Sequence, residues 1–350
     1  MTSTPPVTGR PTAAPATPAR PRPRGQGWLV TLGLMAAAPA LLATGLRVLQ
    51  PGSERLAKLA SFIPYGLVFW LPALILLALA AIRAWRRGAS GRAALGALSL
   101  ACAAGLAATV AWQAPAFIPD GRPATTDPVT VVSLNVAQAA DPAATARALS
   151  GADVVVFAEA HRGWVDSLPE RFRAEFRYLA PADGSGEEDD ADTVVFSRHP
   201  IVSAEALPPS NFQQWSAVVR LPQLGPVRVV AVHPCNPYCR PGLWMQDAAQ
   251  LRAWLAEHRG TMPMIVAGDF NAVDDHRTMQ ALYDDGFRSA ADLVGAGFVR
   301  TWPANTRVPP MIGIDHVLVD DRLTASAFET FGVPGTDHLG VRAVIAGTTG

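Results

Sequence analysis

Three apolar segments near the amino terminus constrain the fold of this chain more than any other feature. They are Trp28 to Leu49, Phe62 to Ile82 and Ala93 to Trp112, each close to the ~20 residues that a helix needs to cross the hydrocarbon layer. Arg47 is the one charged residue within them, and a long side chain near a helix end can reach the membrane surface. The sequence therefore predicts three transmembrane helices.

Two other interpretations of these segments stay open. Buried helices of a soluble core are one, although core helices are usually shorter and carry a polar face. A cleaved signal peptide is the other for the first segment, because the small residues Ala38 and Ala40 stand near a position where cleavage could occur. The first apolar run is longer than that of most signal peptides, which favours an uncleaved anchor.

Arginine-rich stretches beside the segments predict the topology. Residues 1–27 hold four arginines and no acid, and they are expected to form a disordered basic tail because Pro, Thr, Ala and Arg cannot build a core. The link from Arg83 to Arg92 holds four more arginines and no acid. Because cytoplasmic loops carry an excess of Lys and Arg, both stretches are expected in the cytoplasm. Three spans then place everything after Trp112 on the outer face of the plasma membrane.

The formal charge of zero conceals an asymmetry between the two parts of the chain. Residues 1–120 carry 11 basic and 2 acidic side chains, net +9, whereas residues 121–350 carry 18 and 27, net −9. The acidic part lacks the Lys and Arg surface that binds nucleic acid, so no stable nucleic-acid partner is expected. Three cysteines are too few for a disulfide-rich scaffold.

After a Pro- and Gly-rich linker at residues 113–128, the pattern becomes that of an α/β domain over residues 129–347. Short β-branched runs alternate with helical stretches, and many runs are apolar on both faces, as in central strands packed between layers. The best helix is Leu243–His258. An acidic loop over residues 182–192 is expected to be a solvated turn, with a calcium loop as the alternative. The predicted strands are 129–136, 153–157, 193–197, 216–221, 227–232, 264–267, 314–319 and 341–345.

Polar residues follow the ends of these strands. In V-A-G-D-F-N at Val266–Asn271, a buried strand runs into a tight turn that presents Asp269 and Asn271 side by side. A carboxylate and an amide in that arrangement can hold a water molecule and a phosphoryl oxygen. Loops beyond strand ends are where a sheet brings functional groups together. The other candidates near strand ends are Asn135, Glu159, His233, Asp315, Asp337 and His338.

The motifs around these residues form an ordered set: S-L-N-V, F-A-E, V-H, G-D-F-N, I-D-H-V-L-V and T-D-H-L-G-V. Together they resemble the endonuclease/exonuclease/phosphatase superfamily over about residues 129–347. The resemblance implies a four-layer α/β sandwich, made of two packed mixed sheets with outer helices, here preceded by the three transmembrane helices. It also implies a phosphoester-cleaving site at one edge of the sheets.

The chemistry of phosphoester hydrolysis suggests which residues bind the metal. The reaction needs a metal ion to neutralise oxygens, a base to direct the water and donors for the developing charge. Glu159 is expected to bind Mg2+, with Mn2+ as the alternative, because such a hard cation takes few protein carboxylates and keeps its waters. Asn135 is expected to orient this ligand or the phosphate, and Asp337 to make a second metal or phosphate-side contact.

Five residues are expected to carry the catalysis. Asp269 would activate or align the attacking water, and Asn271 would hold that water and a phosphoryl oxygen. His233 and His338 would donate to the phosphate, since the charge of histidine is tunable near neutral pH. Asp315 resembles the acid that the family pairs with its final histidine, which implies that it orients His338.

Two cysteines stand in a Pro-bounded loop directly after His233. On the outer face of the membrane, oxidation would permit a disulfide between Cys235 and Cys239 that stiffens the loop. A small metal site made of His233 and both thiolates is an alternative, and two unpaired thiols are another.

The sequence therefore predicts a membrane-anchored, Mg2+-dependent phosphoesterase with its catalytic domain outside the cell. The membrane anchor and the acidic domain favour a lipid-linked phosphoester or pyrophosphate, or another small phosphoester, over nucleic acid. Three spans followed by this domain also resemble the glycopeptide (teicoplanin) resistance-associated phosphoesterases of actinomycetes, which implies a cell-envelope substrate such as a polyprenyl pyrophosphate. The alternatives are a surface-tethered endonuclease and a non-catalytic envelope protein on the same fold.

Overall fold

The computed structural model describes residues 27–137, 139–181 and 192–349. The basic tail expected over residues 1–27 therefore lies, except for Gly27, outside the described residues. The acidic loop expected over residues 182–192 lies outside them too, except for Asp192.

The three apolar segments form helices, as predicted. They are α1 (Gly27–Leu49), α3 (Gly66–Arg86) and α4 (Arg92–Gln113), and each is long and apolar enough to cross a membrane. A short helix that the sequence did not predict, α2 (Glu54–Ala60), lies between the first two, and 3-10 turns precede α3 and follow α4.

Close packing of small residues holds these helices together. A Cβ added at Gly105 of α4 would lie 2.5 Å from the indole ring of Trp70 in α3, so only glycine allows the two helices to approach this closely. The same indole donates a hydrogen bond to Thr44 Oγ1 of α1 at 3.2 Å. Trp70 of α3 therefore contacts both of the other apolar helices.

The described part of the α/β domain contains twelve strands and six helices. The strands are β1 (Val129–Asn135), β2 (Val154–Ala158), β3 (Tyr178–Ala180), β4 (Val194–Ser197), β5 (Ile201–Ala206), β6 (Trp215–Leu221), β7 (Gly225–Val232), β8 (Met264–Asp269), β9 (Arg288–Ser289), β10 (Asp315–Val319), β11 (Leu323–Gly332) and β12 (Leu339–Gly347). The helices are α5 (Pro142–Ala148), α6 (Arg162–Asp166), α7 (Glu170–Glu175), α8 (Leu243–His258), α9 (Arg277–Asp284) and α10 (Ala290–Leu293).

These strands form two mixed six-stranded sheets. The first has the order β11-β12-β1-β2-β4-β3 and the second β5-β6-β7-β8-β10-β9. The two parallel pairs, β1 with β2 and β7 with β8, lie in the middle of their sheets. The carboxyl ends of the strands in each pair therefore meet at one edge, where functional groups can converge.

Alternate residues of the central strands build the predicted four layers. In β1, Val129 and Val131 point into the core between the sheets, whereas Val132 and Leu134 pack under α5, α6 and α7. On the other side, α8 and α9 cover the outer face of the second sheet. The predicted four-layer sandwich is confirmed.

Four strands were missed by the sequence analysis, and their surroundings explain why. β5 is exposed along most of its length, and β3 and β9 have only three and two residues, so none shows a buried apolar run. In β11 the pairing register shifts between Ala325 and Ala327, and the bulge breaks the two-residue alternation that identifies a strand. Helix α8, predicted at Leu243–His258, has those bounds.

Ion pairs and hydrogen bonds dock the three apolar helices on the α/β domain. Arg47 Nε lies 3.0 Å from Asp275 Oδ1, and its guanidinium also donates to Gln280. Tyr65 donates its hydroxyl to the carbonyl of Met311 at 2.7 Å. The Asp275 side chain is only 15% exposed beside Arg47, so this ion pair is largely shielded from solvent.

Helix α2 makes a second docking contact through a buried histidine. His276 accepts from the Val273 amide at Nδ1, which leaves its Nε2–H to donate to the carbonyl of Ala57 at 2.9 Å. Burial lowers the pKa of His276 to about 4, so its ring is neutral at physiological pH. The amide of Gly242 also donates to Glu54 of α2. The apolar helices and the domain are thus fixed against each other on two sides.

Candidate active site

The carboxyl ends of β1 and β8 bring the two sheets together at the candidate site. Asn135, the last residue of β1, is buried and donates from Nδ2 to Asp269 Oδ2 at 3.0 Å. Asp269 is the last residue of β8, so this hydrogen bond joins the centres of the two sheets. The sequence interval between the two residues is 134, and only the fold brings them into contact.

The G-D-F-N turn depends on its glycine. A Cβ on Gly268 would lie 2.0 Å from the carbonyl oxygen of Val232, so the neighbouring strand can approach only a glycine. Beyond the strand, Asn271 has a φ of +48°, its amide N–H donates to Asp269 Oδ1 at 2.8 Å, and its side chain donates to the carbonyl of Pro234. The turn thus holds Asp269 and Asn271 side by side, as the sequence analysis expects.

Asp269 is a buried carboxylate among charged neighbours. Burial raises its pKa, and the nearby carboxylate of Asp315 raises it further, whereas His338 and His233 lower it. The Asp269 Oδ2 atom lies 3.8 Å from the Nε2 atom of each histidine. A carboxylate with a raised pKa is a stronger base than an exposed one, which suits a role in water activation.

Glu159 leaves the end of β2 in a strained conformation. Its φ is +54°, in the left-handed region that a residue with a Cβ rarely adopts, and such backbones cost about 1–3 kcal/mol. This turn places its carboxylate where Asn135 Nδ2 donates to Oε1 at 3.1 Å. The Glu159 side chain is 29% exposed, so it also faces the solvent side of the site. Asn135 therefore links the carboxylates of Glu159 and Asp269.

His338 and Asp315 form a buried pair on adjacent segments. His338 Nδ1 lies 2.9 Å from Asp315 Oδ2, and the backbone N–H of His338 donates to Thr336 Oγ1. Burial opposes a charged ring, but the carboxylates of Asp315, Asp269 and Asp337 outweigh it and raise the pKa of His338 to about 10. His338 is therefore protonated at neutral pH, with Nε2–H directed towards Asp269 at 3.8 Å.

Aromatic stacking and a backbone contact position His233 beyond the end of β7. Its ring stacks on Phe212 with centroids 4.3 Å apart and an interplanar angle of 11°. Its backbone N–H donates to Gln214 Oε1 at 3.0 Å, and Nε2 lies 3.6 Å from Glu159 Oε1. His233 is buried, so the stacked ring presents one edge to the carboxylates.

Asp337 lies at the solvent-exposed margin of the site. Its side chain is 50% exposed, and Oδ1 lies 3.9 Å from His338 Nε2. Trp302 Nε1 donates to Asp337 Oδ2 at 3.0 Å. A carboxylate at this margin can contact a metal ion or a substrate that enters from solvent.

The carboxylate-rich donors of this site fit a hard divalent cation. Within the described residues, Asp269, Asp315 and His338 offer ligand atoms within 4.8 Å of one another, and Asp315 Oδ1 is buried without a hydrogen-bond partner there. The Nδ1 atom of His338 already faces Asp315 Oδ2 at 2.9 Å, so only its Nε2 atom could contact a metal ion. Carboxylate oxygens are therefore the better ligands, and Glu159 offers the most accessible one of the central cluster.

The two cysteines after His233 are joined in a disulfide. The Cα atoms of Cys235 and Cys239 are 6.1 Å apart, and the Cys235 amide donates to Asp247 Oδ2 of α8. The pairing leaves no thiolate for the alternative metal site with His233. The loop is thus fixed both by the disulfide and by Asp247 of α8.

The sequence analysis missed several residues that position the site. Phe212, Gln214 and Trp302 belong to no motif, and each acts through a partner at least 19 positions away in the chain. Thr336 is different, because it opens the T-D-H motif, and its hydroxyl donates to the carbonyl of Asn135 at 2.7 Å. The T-D-H motif could have identified Thr336, whereas the other three depend on tertiary contacts alone.

Comparison with known proteins places this geometry in a family. A sequence profile described as the Endonuclease/Exonuclease/phosphatase family matches residues 132–338, which include every candidate site residue. No curated protein sequence matches the chain.

Solved structures share the fold at low sequence identity. The endonuclease/exonuclease/phosphatase from Bacteroides vulgatus is 14% identical, with 63% of this chain and 99% of that chain covered and a TM-score of 0.50. A functionally unknown conserved protein from Enterococcus faecalis V583 is 15% identical, with 63% and 100% covered and a TM-score of 0.50. An endonuclease/exonuclease/phosphatase from Beutenbergia cavernae DSM 12333 is 20% identical, with 63% and 72% covered and a TM-score of 0.48. At these identities the two likenesses with a TM-score of 0.50 show the fold alone.

Proposed function

The chain belongs to the Endonuclease/Exonuclease/phosphatase family, and on this premise we propose that it is a membrane-anchored, divalent-metal-dependent phosphoesterase. One observation carries the proposal: a continuous chain of buried polar contacts crosses both sheets. It is formed by Asn135, Asp269, His338 and Asp315. A site of this kind combines a strong base with a protonated donor, which hydrolysis of a phosphoester requires.

The side chains divide the chemistry between them. Asp269, with its raised pKa, takes a proton from the attacking water, and Asn271 beside it holds that water in line. His338 donates from its charged ring to a phosphoryl oxygen, while Asp315 fixes the orientation of that ring. His233 donates to the phosphate from the other side of Asp269.

A divalent cation completes the site. Mg2+, or Mn2+, held by Glu159 and Asp337 would neutralise phosphoryl oxygens during the reaction. Asn135 orients Glu159 through its 3.1 Å hydrogen bond and so acts on the cation through that ligand.

The substrate that these features favour is a lipid-linked phosphoester or pyrophosphate of the polyprenyl class, hydrolysed on the outer face of the plasma membrane. Three helices of sufficient length and apolar character precede the domain, and the domain is docked directly on their ends. The domain also carries a net charge of −9, which opposes the approach of polyanionic nucleic acid.

Purified full-length protein in detergent with Mg2+ tests this proposal. Release of phosphate from undecaprenyl pyrophosphate is measured beside cleavage of plasmid DNA, with a chelator and with His338→Ala as controls. His258→Ala is the matched histidine variant, because His258 ends α8 at the edge of the sheet opposite the site.

We expect phosphate release from the lipid that is lost with the chelator and with His338→Ala but kept in His258→Ala. Cleavage of DNA alone would identify a tethered nuclease instead. If the protein turns over neither substrate, the polyprenyl assignment is contradicted.

A further inference from the structure

A cavity of about 510 Å³ lies between the membrane helices and the α/β domain, apart from the residues of the candidate active site. Its membrane side is formed by the last turns of α1 and α4 and the first turn of α3, which contribute Arg47, Trp112 and Val68. These three helix ends meet the domain at one level, which is the level of lipid headgroups if the helices cross a bilayer. The volume lies within the range of small-ligand sites.

Most charged groups that line the cavity have partners inside the protein. Arg47 pairs with Asp275, and Arg288 pairs with Asp120. Asp274 accepts the hydroxyl hydrogen bond of Tyr283 and lies 3.7 Å from the ring of His316. These contacts satisfy the lining groups without a ligand.

Asp292 and Arg300 are the exceptions. Among the described residues, the Asp292 carboxylate makes no hydrogen bond and no ion pair within 4.0 Å, and Arg300 has no anionic partner. The guanidinium of Arg300 instead lies over two aromatic rings, 5.7 Å from the centroid of Tyr65 and 5.9 Å from that of Phe298. The cavity therefore offers one unpaired acid and one unpaired base.

The environment of Asp292 indicates a need for a positive partner. Partial burial and the nearby Asp274 carboxylate raise the pKa of Asp292 to about 7, against the weaker opposing effects of His316 and Arg288. A carboxylate destabilised in this way is stabilised by a cation that donates hydrogen bonds to it.

We infer that this cavity binds the headgroup of a phospholipid that carries a primary amine, with its ammonium at Asp292 and its phosphate at Arg300. Two unpaired charges of opposite sign match a zwitterion better than an anion. The side chain of Val68, which is 65% exposed, stands on a membrane-spanning helix beside the cavity and gives the acyl chains an apolar surface. The bound lipid would join the anchor to the domain.

Full-length protein in nanodiscs tests this inference without any enzymatic assay. The discs contain phosphatidylcholine alone or with an equal fraction of phosphatidylethanolamine or phosphatidylglycerol. The thermal unfolding midpoint is measured, and lipid retained after mild detergent extraction is identified by native mass spectrometry. Phosphatidylethanolamine is expected to raise the midpoint most and to be the retained lipid, because ligands that bind the folded state stabilise it.

Two variants separate the charges of the cavity. Asp292→Asn is expected to weaken retention of phosphatidylethanolamine about tenfold, since a charged hydrogen bond is lost, and to abolish the preference over phosphatidylglycerol. Arg300→Gln is expected to weaken retention of every phospholipid by a similar factor. The matched controls Asp284→Asn and Arg171→Gln change exposed residues that do not line the cavity and should leave lipid retention unchanged.

Three results would overturn the inference. One is that phosphatidylethanolamine and phosphatidylglycerol stabilise the unmutated protein equally. This comparison does not depend on whether a variant folds. Another is an unchanged lipid preference in Asp292→Asn. The third is full stabilisation by soluble phosphoethanolamine in discs of phosphatidylcholine, which would assign the cavity to a soluble ligand. None of these depends on whether the protein hydrolyses phosphoesters.

Discussion

The contact between His338 and Asp315 sets the charge of the candidate site at the scale of single residues. Their atoms lie 2.9 Å apart, and the pKa of His338 is raised to about 10 although burial opposes it. Without the negative charge of Asp315 the balance changes, because burial continues to disfavour the imidazolium. The charge of His338 therefore depends on a residue that need not contact the substrate.

Asp315→Asn tests that dependence through a pH profile. The pKa of His338 in the folded variant is lower, so the ring loses its proton at a lower pH. Activity that needs the imidazolium is therefore lost at a lower pH than in the unmutated protein. We expect the alkaline limb of kcat to move down by at least about one pH unit and kcat at pH 8 to fall about 10²–10³-fold. Asp321→Asn, at an exposed position, serves as the control. An unchanged alkaline limb would show that Asp315 does not set the charge of His338.

Glu159→Gln tests the metal assignment. The amide keeps the size of the side chain but removes the charge that attracts a hard cation. We expect the affinity for Mg2+ or Mn2+, measured by titration calorimetry, to be at least about tenfold weaker. Glu170→Gln on the exposed side of α7 should bind as the unmutated protein does. If Glu159→Gln binds the metal ion with the affinity of the unmutated protein, other carboxylates hold the metal.

Sequence motifs predicted the ionisable residues that the fold brings together, because each such residue stands at or beside one end of a recognisable apolar strand. Asp269 after V-A-G and Glu159 after V-V-V-F-A are examples. The residues that hold them in place were not predictable in the same way. Phe212 stacks on His233 across 21 positions, and no local pattern marks a ring for that contact.

Helix α2 shows the same limit at the scale of elements. Its seven residues lie in the link between two apolar segments, for which the sequence analysis predicts no helix. Its significance comes from the buried hydrogen bond between Ala57 and His276, which no periodicity reveals. The long helices and the central strands were predictable because burial imposes a recognisable pattern of apolar residues on their sequences. A short docking element such as α2 shows no such pattern.

The pH dependence of stability tests the docking of α2. The folded pKa of His276 is about 4 against an ordinary value of 6.5, so the unfolded chain binds the proton more readily. The stability that the neutral ring contributes is complete above pH 6.5 and is lost as the pH falls towards 4, by about 3 kcal/mol in all. We expect His276→Asn to flatten the fall of the unfolding midpoint between pH 7 and pH 5.

The comparison with the unmutated protein isolates this effect. Burial raises the pKa of Asp275 to about 6, so the stability that this group contributes increases as the pH falls below about 6. This effect opposes that of His276 over much of the same pH range, and Asp275 is present in both proteins. His258→Asn, whose ring stacks on Trp254 at the end of α8, is the histidine control. An equal slope in His276→Asn and the unmutated protein would mean that the docking histidine is not buried in solution.

At the scale of the whole molecule, the net charge and the hydrophobicity of the chain change at the same boundary. The net +9 of residues 1–120 belongs to the part with the three apolar helices, and the net −9 of residues 121–350 belongs to the α/β domain. Arginines concentrate before α1 and between α3 and α4, whereas the domain docks on the opposite helix ends through Arg47 and Tyr65. This separation makes the orientation of the domain a question of membrane topology.

Reporter fusions decide the orientation. Alkaline phosphatase folds only outside the cytoplasm and green fluorescent protein fluoresces when it folds inside, so a pair of fusions after Gly350 reports the side of the domain. Because the arginine-rich links favour the cytoplasm, we expect phosphatase activity and no fluorescence there. Fusions within the link at Ala89, between α3 and α4, should give the reverse. Fluorescence after Gly350 would place the domain in the cytoplasm, where the disulfide between Cys235 and Cys239 would be exposed to reduction and an envelope substrate would be out of reach.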